Sequence, residues 1–466
     1  MTKAAGVSAH EAIADHYALP AVEARIAEFF GTRADGATPV ESAAAYGGVR
    51  WLHGPEGAPL VRPADDWRAA LPEGADVFRS LADSTGTVLF LDVDYVHPAD
   101  PAEPWREPLR SFARLGQAHE AALAVFARHG IAPLVLLNAA GFRYLARVPR
   151  GGRLHQSLEA LGAGDGWAAT ECLRKDGGPD AAAHRGAGRL VEFLAHEIVR
   201  LGRTSVLLPV SLGDVPPAGP DPFVRVDLSA YADAADAVPL RAPFSSDQTP
   251  LLTRPGATTP FVAVLPCGDR GLAELLEMRE DLVRAGAYAR ECSAAIPDVP
   301  EESSLLRDYE RSALAAFHAE MDHAPLAADW ARQAAGLFDP ESAPPCANAV
   351  LRYPAPRLLQ ARHLRTVALG LWSTGWHPRT IAALVRSRYE EPHDWGLHWQ
   401  RADPAHTASF FVRLYCAAAA CGLDDGLFTC ETQARHALCP AGGCGYDLGL
   451  LFRRLRVLRA RDESHA

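Results

Sequence analysis

The stretch "TVLFLDVDYVHP", residues 87–98, decides the fold class, because it ends an apolar run on two carboxylates one residue apart. Val88, Leu89, Phe90 and Leu91 predict a buried strand. Side chains on a strand alternate with period two, so Asp92 and Asp94 project from the same side of the chain. Two like charges there repel unless something positive sits between them. The residues alone leave three readings open. One is a polar strand end facing water. Another is a divalent-cation site, because hard Mg2+ prefers carboxylate oxygens and keeps waters for substrate phosphates. A third carboxylate from a neighbouring strand would complete a two-metal clamp for phosphoryl or nucleotidyl transfer. The last is a phosphatase with the first aspartate as nucleophile and the second as acid.

Around this strand the first half alternates helix and strand. "EAIADHYALPAVEARIAEFFG" has helical spacing closed by Gly31, and "PWREPLRSFARLGQAHEAALAVFARHG" predicts a long amphipathic helix ending at Gly130. "IAPLVLLNAAGFRYLARVP" reads as two strands around a small-residue turn at Asn138–Gly141. A helix over 182–202, the strand "TSVLLPVSL" and the strand "FVRVDLSAY", which carries Asp227, follow. Together they predict an α+β domain, a mixed sheet with flanking helices, over residues 1–290. A helical linker is expected at 291–339, up to the Pro-rich "DPESAPPC", and a mostly α-helical, Cys-rich domain at 340–466. Within it, Gly375 suits a helix end and Pro378 the first turn of the next helix.

A chain of 466 residues with apolar residues at 48% and charge interspersed is globular and too long for one ordinary core. No run approaches the roughly 20 apolar residues of a membrane span. The start "MTKAAGVSAHEAIADHY" lacks the basic and apolar regions of a signal peptide, so a cytoplasmic location without membrane contact is expected. The net charge of −11 weighs mildly against nonspecific nucleic-acid binding. Local charge is uneven: Arg143, Arg147, Arg150 and Arg153 cluster, as do Arg453, Arg454, Arg456, Arg459 and Arg461. For the C-terminal group, a solvated helix face is as good a reading as a binding patch.

"LFLDVDYV" also matches the opening motif of haloacid-dehalogenase-like phosphatases. Those enzymes need a positioned lysine and a late acidic pair. Lys175, the only lysine after Lys3, stands in the polar "LRKDGGPD", and "CGDRGLAEL" offers no second acid beside its Gly-Asp. The order of motifs instead resembles the catalytic subunit of archaeo-eukaryotic primases, the primase-polymerase superfamily, over residues 10–265. Asp92 and Asp94 match its Asp-x-Asp motif. "VRVDLSAYADAADAVPLRAPFSS" supplies an apolar strand with Asp227, then Arg241, Pro243 and Ser245 in an Arg-x-Pro-x-Ser stretch. "GVRWLHGPEGAPL", with Arg50, Trp51 and Leu52, has the look of the family's lead-in. The resemblance implies that Asp92, Asp94 and Asp227 bind two Mg2+ or Mn2+ ions, which activate a primer hydroxyl and steady the triphosphate. It also implies nucleotide contacts from Arg143, Arg241 and Ser245. Two positions depart from the pattern. Arg143, in "NAAGFRY", stands where the family has a nucleotide-contacting histidine, and arginine binds phosphate without titrating. "SSDQT" places Asp247 and Thr249 where the family often reads Ser-x-His; a carboxylate beside phosphates needs a metal or an arginine to neutralise it. His155 is a candidate substitute for the missing histidine.

Of nine cysteines, Cys172, Cys267, Cys292, Cys416 and Cys421 read as buried small apolar residues. Cys430, Cys439 and Cys444 stand in "FTCETQARHALCPAGGCGYDL", with Cys346 in "APPCANAV" as a remote fourth and His436 as a spare. Four thiolates suit tetrahedral zinc or a cubane iron–sulfur cluster; unligated buried thiols are the alternative. The run "PPC", "HLRTVALGLWSTGWHPRTIAALVRSRYE", "FTCE", "ALCP" and "GGCGYD" resembles the C-terminal iron–sulfur domain of the primase large subunit, which implies a 4Fe-4S cluster, with zinc as the alternative metal. Arg362, His363, Arg365, Trp372, Trp376, Arg379, Arg386, Arg388 and Tyr389 are candidates for a nucleic-acid surface there; the alternative puts the tryptophans in the core. The expectation is a DNA primase/polymerase-like nucleotidyltransferase acting on a nucleic-acid template and nucleoside triphosphates, alongside other replication or repair proteins. Its rivals are a noncatalytic nucleic-acid-binding protein with a degenerate primase fold, and the phosphatase.

Overall fold

The computed structural model describes residues 9–32, 36, 38, 40–45, 62–64, 67–138, 140–163, 181–213, 221–232, 240–247, 260–265, 270–323, 330–395, 404–423, 428–435, 437–439, 444–450 and 453–454. The expectations for Arg50–Leu52, Cys172, Lys175, Thr249, Cys267 and His436 lie outside them. The chain is α+β and divides into two compact units, each built from two stretches: 1–156 with 237–303, and 157–236 with 304–466. The expected cuts at 290 and 339 therefore differ from the division that packing makes. The stretch at 157–236 packs with the later helices, a long-range preference that local sequence does not encode. Among the described residues the strands are β1 Val40–Ala45, β2 Arg62–Ala64, β3 Asp76–Asp83, β4 Gly86–Val96, β5 Leu134–Leu137, β6 Gly141–Pro149, β7 Val210–Leu212, β8 Phe223–Asp227, β9 Leu240–Arg241 and β10 Ala263–Leu265.

In the first unit the sheet order is β10-β5-β6-β4-β3-β1-β2, with β9 also on β3, and every pairing is antiparallel. The β3–β4 hairpin turns where Asp83 Oδ1 accepts from Thr85 N (2.8 Å). Its other oxygen takes Arg79 in a buried ion pair, and Arg79 also donates to Phe29 O (2.6 Å), tying the helix Pro20–Phe29 to the sheet. The helix Pro108–Arg128 closes one face. Phe112, His119 and Phe126 recur at helical spacing and meet Phe142 and Tyr144 of β6. His119, pushed down to about 4 by burial, is neutral there and bonds Tyr144 Oη (2.7 Å). The helix expected from Glu11 to Gly31 is two helices, Ala9–Tyr17 and Pro20–Phe29, because Pro20 cannot continue the first and opens the second.

The second unit holds the parallel pair β7–β8 and most of the helices. "TSVLLPVSL" is only partly strand, since the preceding helix Ala181–Ser205 runs into it. Gly375, at φ +98°, ends the helix Ala361–Ser373, and Pro378 opens Pro378–Tyr389, as local turn chemistry dictates. Glu192 is fully buried on the helix Ala181–Ser205; Arg413 Nε donates to it at 3.3 Å and His318 Nε2 lies 3.4 Å away. Burial opposes its ionisation, but His318 and Arg413 bring its acid down to about 2. One turn on, His196 is pushed down to about 3, mainly by burial, and His184 to about 4 by burial and the neighbouring His406.

These three groups titrate below their unfolded values. The unfolded chain therefore binds protons first as pH falls, and stability drains in acid. The histidines begin to act below about 6.5 and Glu192 below about 4.3. Denaturation of the full chain from pH 7 to pH 4 should show stability falling monotonically, by about 1.4 kcal/mol per pH unit for each histidine across its window. The slope should shrink in His196→Gln.

Candidate active site and thiol cluster

The motif at 92–94 lies on β4, whose register with β6 sets Asp92 opposite Arg143 and Asp94 opposite Gly141. Directly opposed residues share a face, so the two carboxylates and the arginine stand together. Arg143 Nε donates to Asp92 Oδ2 at 3.2 Å, with the side chains 23% and 13% exposed. Asp94 is buried. Gly141 is required: a Cβ there would meet Val93 O and come within 2.5 Å of Asp94 Oδ1. Gly141→Ala is therefore expected to push Asp94 from its place and destabilise the first unit by about 1–3 kcal/mol, as read by urea denaturation.

The β5–β6 turn that presents Gly141 is held from both ends. Asn138 Oδ1 accepts from the backbone N–H of Ala140 (2.9 Å) and Gly141 (2.6 Å). Arg279, itself buried, donates to Asn138 O (2.6 Å) and lies over the Phe112 ring. Burial lowers Arg279 to about 10, which still leaves it charged at neutral pH. Sequence reading found the turn but missed Arg279, which carries no local signal. His155 is buried on the helix Arg153–Ala163.

Asp227 closes β8 in the second unit. Its Oδ1 accepts from Ser229 N (2.8 Å), which starts a tight turn, and Arg225 Nε lies 3.8 Å from Oδ2. Its side chain is 19% exposed.

Arg241 and Ser245 have internal partners. Arg241 pairs with Asp76 and, at 3.2 Å, with Asp247, and its guanidinium lies over Phe78. Asp247 thus has the neutralising arginine its position calls for. Ser245 is fully buried; it accepts from Val77 N (2.9 Å) and contacts Tyr17 Oη (3.2 Å). The bend is sharp enough to hold Phe244 at φ +62°, a conformation unfavourable for a bulky side chain. Nucleotide contact from Ser245 thus meets a physical obstacle: no surface is left from which to reach a ligand. Arg241 serves the Asp76 and Asp247 carboxylates, of which Asp76 lies 165 positions away, too far for a motif to reveal. Arg147 is likewise engaged, donating to Asp298 Oδ1 (2.7 Å).

The four cysteines of the proposed cluster lie in the second unit, Cys346 in the helix Pro345–Leu351, Cys430 at the start of Cys430–Arg435, and Cys439 and Cys444 beyond it. They feel one another electrostatically. Cys346 is pushed up to about 11 by burial, with Cys439 and Cys444 adding to it. Cys439 is raised by burial, by Cys444 and Cys430, and by a hydrogen bond with Cys444. Gly445, at φ +77°, turns the chain, and Cys430 Sγ donates to Tyr446 O (3.7 Å). Among the described residues no three His, Cys, Asp or Glu side chains stand in metal-ligating geometry. The thiols are neighbours, then, without being set as ligands. Cys292 and Cys416 are buried, as small apolar residues would be, and Cys421 is half-buried.

Four of the nine basic and aromatic candidates nearby are buried. His363, Arg365, Arg379 and Tyr389 are buried, with Arg379 donating to Met321 O (3.0 Å) and Tyr389 to Leu358 O (2.6 Å). Arg386 and Arg388 pair with Glu390 and Glu391, Trp372 and Trp376 are half-buried, and Arg362 is exposed. No described helix is long and apolar enough to cross a membrane. In comparisons with known proteins, no family model, no curated protein and no solved structure matches this chain.

Proposed function

We propose that this chain is a primase-polymerase-like nucleotidyltransferase that joins nucleotides on a nucleic-acid template. The observation that carries the reading is the β4–β6 register: two carboxylates on one face, an arginine paired to the first, and a glycine opposite the second in a space any side chain would fill. Carboxylates are the hard-oxygen donors that Mg2+ or Mn2+ takes, and Asp92 and Asp94 would hold the ion; among the described residues no third ligand stands with them in metal-ligating geometry. Bound ions would supply charge stabilisation and an activated primer hydroxyl. Arg143 would offset phosphate charge. Arg241 holds Asp76 and Asp247 in place, and Asn138 with Arg279 fixes the turn behind Asp94.

The thiols Cys346, Cys430, Cys439 and Cys444 are proposed to hold a 4Fe-4S cluster, or zinc, that pins the helices carrying them. Sulfur is the donor either metal takes, although among the described residues the four thiols are not set in metal-ligating geometry. A second reading, a noncatalytic nucleic-acid-binding protein, draws support from the internal engagement of Arg241 and Ser245. Primer synthesis and extension on defined templates, with Mg2+ or Mn2+, separate the two. Products from the wild type that vanish in Asp92→Ala/Asp94→Ala support the enzyme. Template binding without products from either supports the binding protein. Hydrolysis of a generic phosphomonoester, lost in Asp92→Asn, would mark a phosphatase instead.

A further inference from the structure

β4 ends at Val96, and the imidazole of the next residue, His97, is held by a carboxylate from outside the strand. Glu103, first in the helix Glu103–Arg106 and 3% exposed at its side chain, accepts on one oxygen from His97 Nδ1 (2.5 Å) and Tyr95 Oη (2.7 Å). Around its other oxygen stand Arg110 Nε at 3.7 Å and Arg114 Nη1 at 3.9 Å. Burial works against a charge on Glu103, but the bonds from Tyr95 and His97 and the charges of His97 and Arg110 hold it below the usual carboxylate range. An ionised carboxylate only accepts, so His97 Nδ1 carries the hydrogen and the neutral ring keeps its lone pair at Nε2. The His97 side chain is 23% exposed, and Glu103 is its one hydrogen-bond partner among the described residues, so Nε2 opens to solvent. Arg114, 35% exposed, donates to Tyr95 Oη (3.1 Å) with one nitrogen and keeps further donors in hand. Asp100 also senses the ring, but its main partner is Arg106.

We propose that His97 Nε2 is a phosphoryl-acceptor site, with Glu103 as the residue that positions it and Arg114 as a cation for the transferred group. The donor class is a small reactive phosphoryl compound, a phosphoramidate or an acyl phosphate. The Nε2 lone pair forms the N–P bond while the donor's P–N or P–O bond breaks. The electron pair leaves with the amine, which takes a proton from water, or with the carboxylate. Nδ1–H stays on Glu103, whose charge offsets the positive charge the ring gains, and Arg114 pairs with the phosphoryl oxygens. The step involves neither a metal ion nor a template and is independent of the nucleotidyl-transfer reading.

Incubating the full chain with phosphoramidate, followed by peptide mass mapping at alkaline pH, tests the site, since phosphohistidine is labile in acid. His97 is expected to react about tenfold or more faster than the exposed His393 of the same chain. Glu103→Gln should remove most of that advantage, and His97→Gln should abolish the modified peptide. Nitrogen NMR of His97 gives a readout that a merely structural role would not move: hydrogen on Nδ1 in the wild type, redistributed between the two nitrogens in Glu103→Gln. Thermal melting reports whether each variant folds; where Glu103→Gln does not, the comparison of His97 with His393 in the wild type decides alone. Reaction of His97 no faster than His393, or equally fast in wild type and folded Glu103→Gln, would overturn the proposal. So would the absence of acid-labile phosphate on His97.

Discussion

On the proposed nucleotidyltransferase reading, Asp94→Asn is expected to cut the rate of template-directed nucleotide joining by about 10²–10³-fold or more, with the melting temperature little changed. The amide keeps the shape that fits beside Gly141, so packing is preserved. What disappears is one carboxylate oxygen donor two residues from Asp92 on the same face. The loss should therefore fall on chemistry and spare stability. Single-turnover extension of a primed template with Mg2+, beside a thermal melt, separates the effects. A melting temperature that falls together with the rate would make Asp94 a structural residue.

The second large effect belongs to the thiols. Cys439 is electrostatically linked to the other three, so Cys439→Ser removes the common neighbour. Structural metal ligation is worth roughly 10 kcal/mol or more in small domains. On the proposed metal cluster, Cys439→Ser is expected to release the metal and unfold the helices around Cys346 and Cys430. Metal content, visible absorption of anaerobically purified protein and helical circular dichroism are the readouts. A brown wild type indicates iron–sulfur, and a colourless one with stoichiometric zinc indicates the alternative. Equal metal content and melting in wild type and Cys439→Ser would reduce the thiols to buried, unligated side chains.

Features governed by local chemistry were legible in the sequence. The Asn138–Gly141 turn, the helix end at Gly375 and the strand through Asp92 each follow from a few adjacent residues. So does the shared side of Asp92 and Asp94, which period two dictates. What was not legible depends on partners far along the chain. Arg241 and Ser245 sit in a motif-like stretch, yet their partners are Asp76, Val77 and Tyr17, more than 160 positions away. Arg279 reaches Asn138 across 141 positions. The division that packing makes differs from the expected cuts for the same reason, since the helix Ala181–Ser205 takes its partners from residues beyond 304.

The proposed cation site rests on Asp92 and Asp94 acting together on one face of β4. The decisive measurement is the number of Mn2+ ions bound per chain beside a nonhydrolysable nucleoside triphosphate, wild type against Asp92→Asn/Asp94→Asn. Wild-type protein should bind Mn2+ stoichiometrically, and the folded variant should bind it at least about tenfold more weakly. Equal stoichiometry and affinity in the folded variant would refute the site.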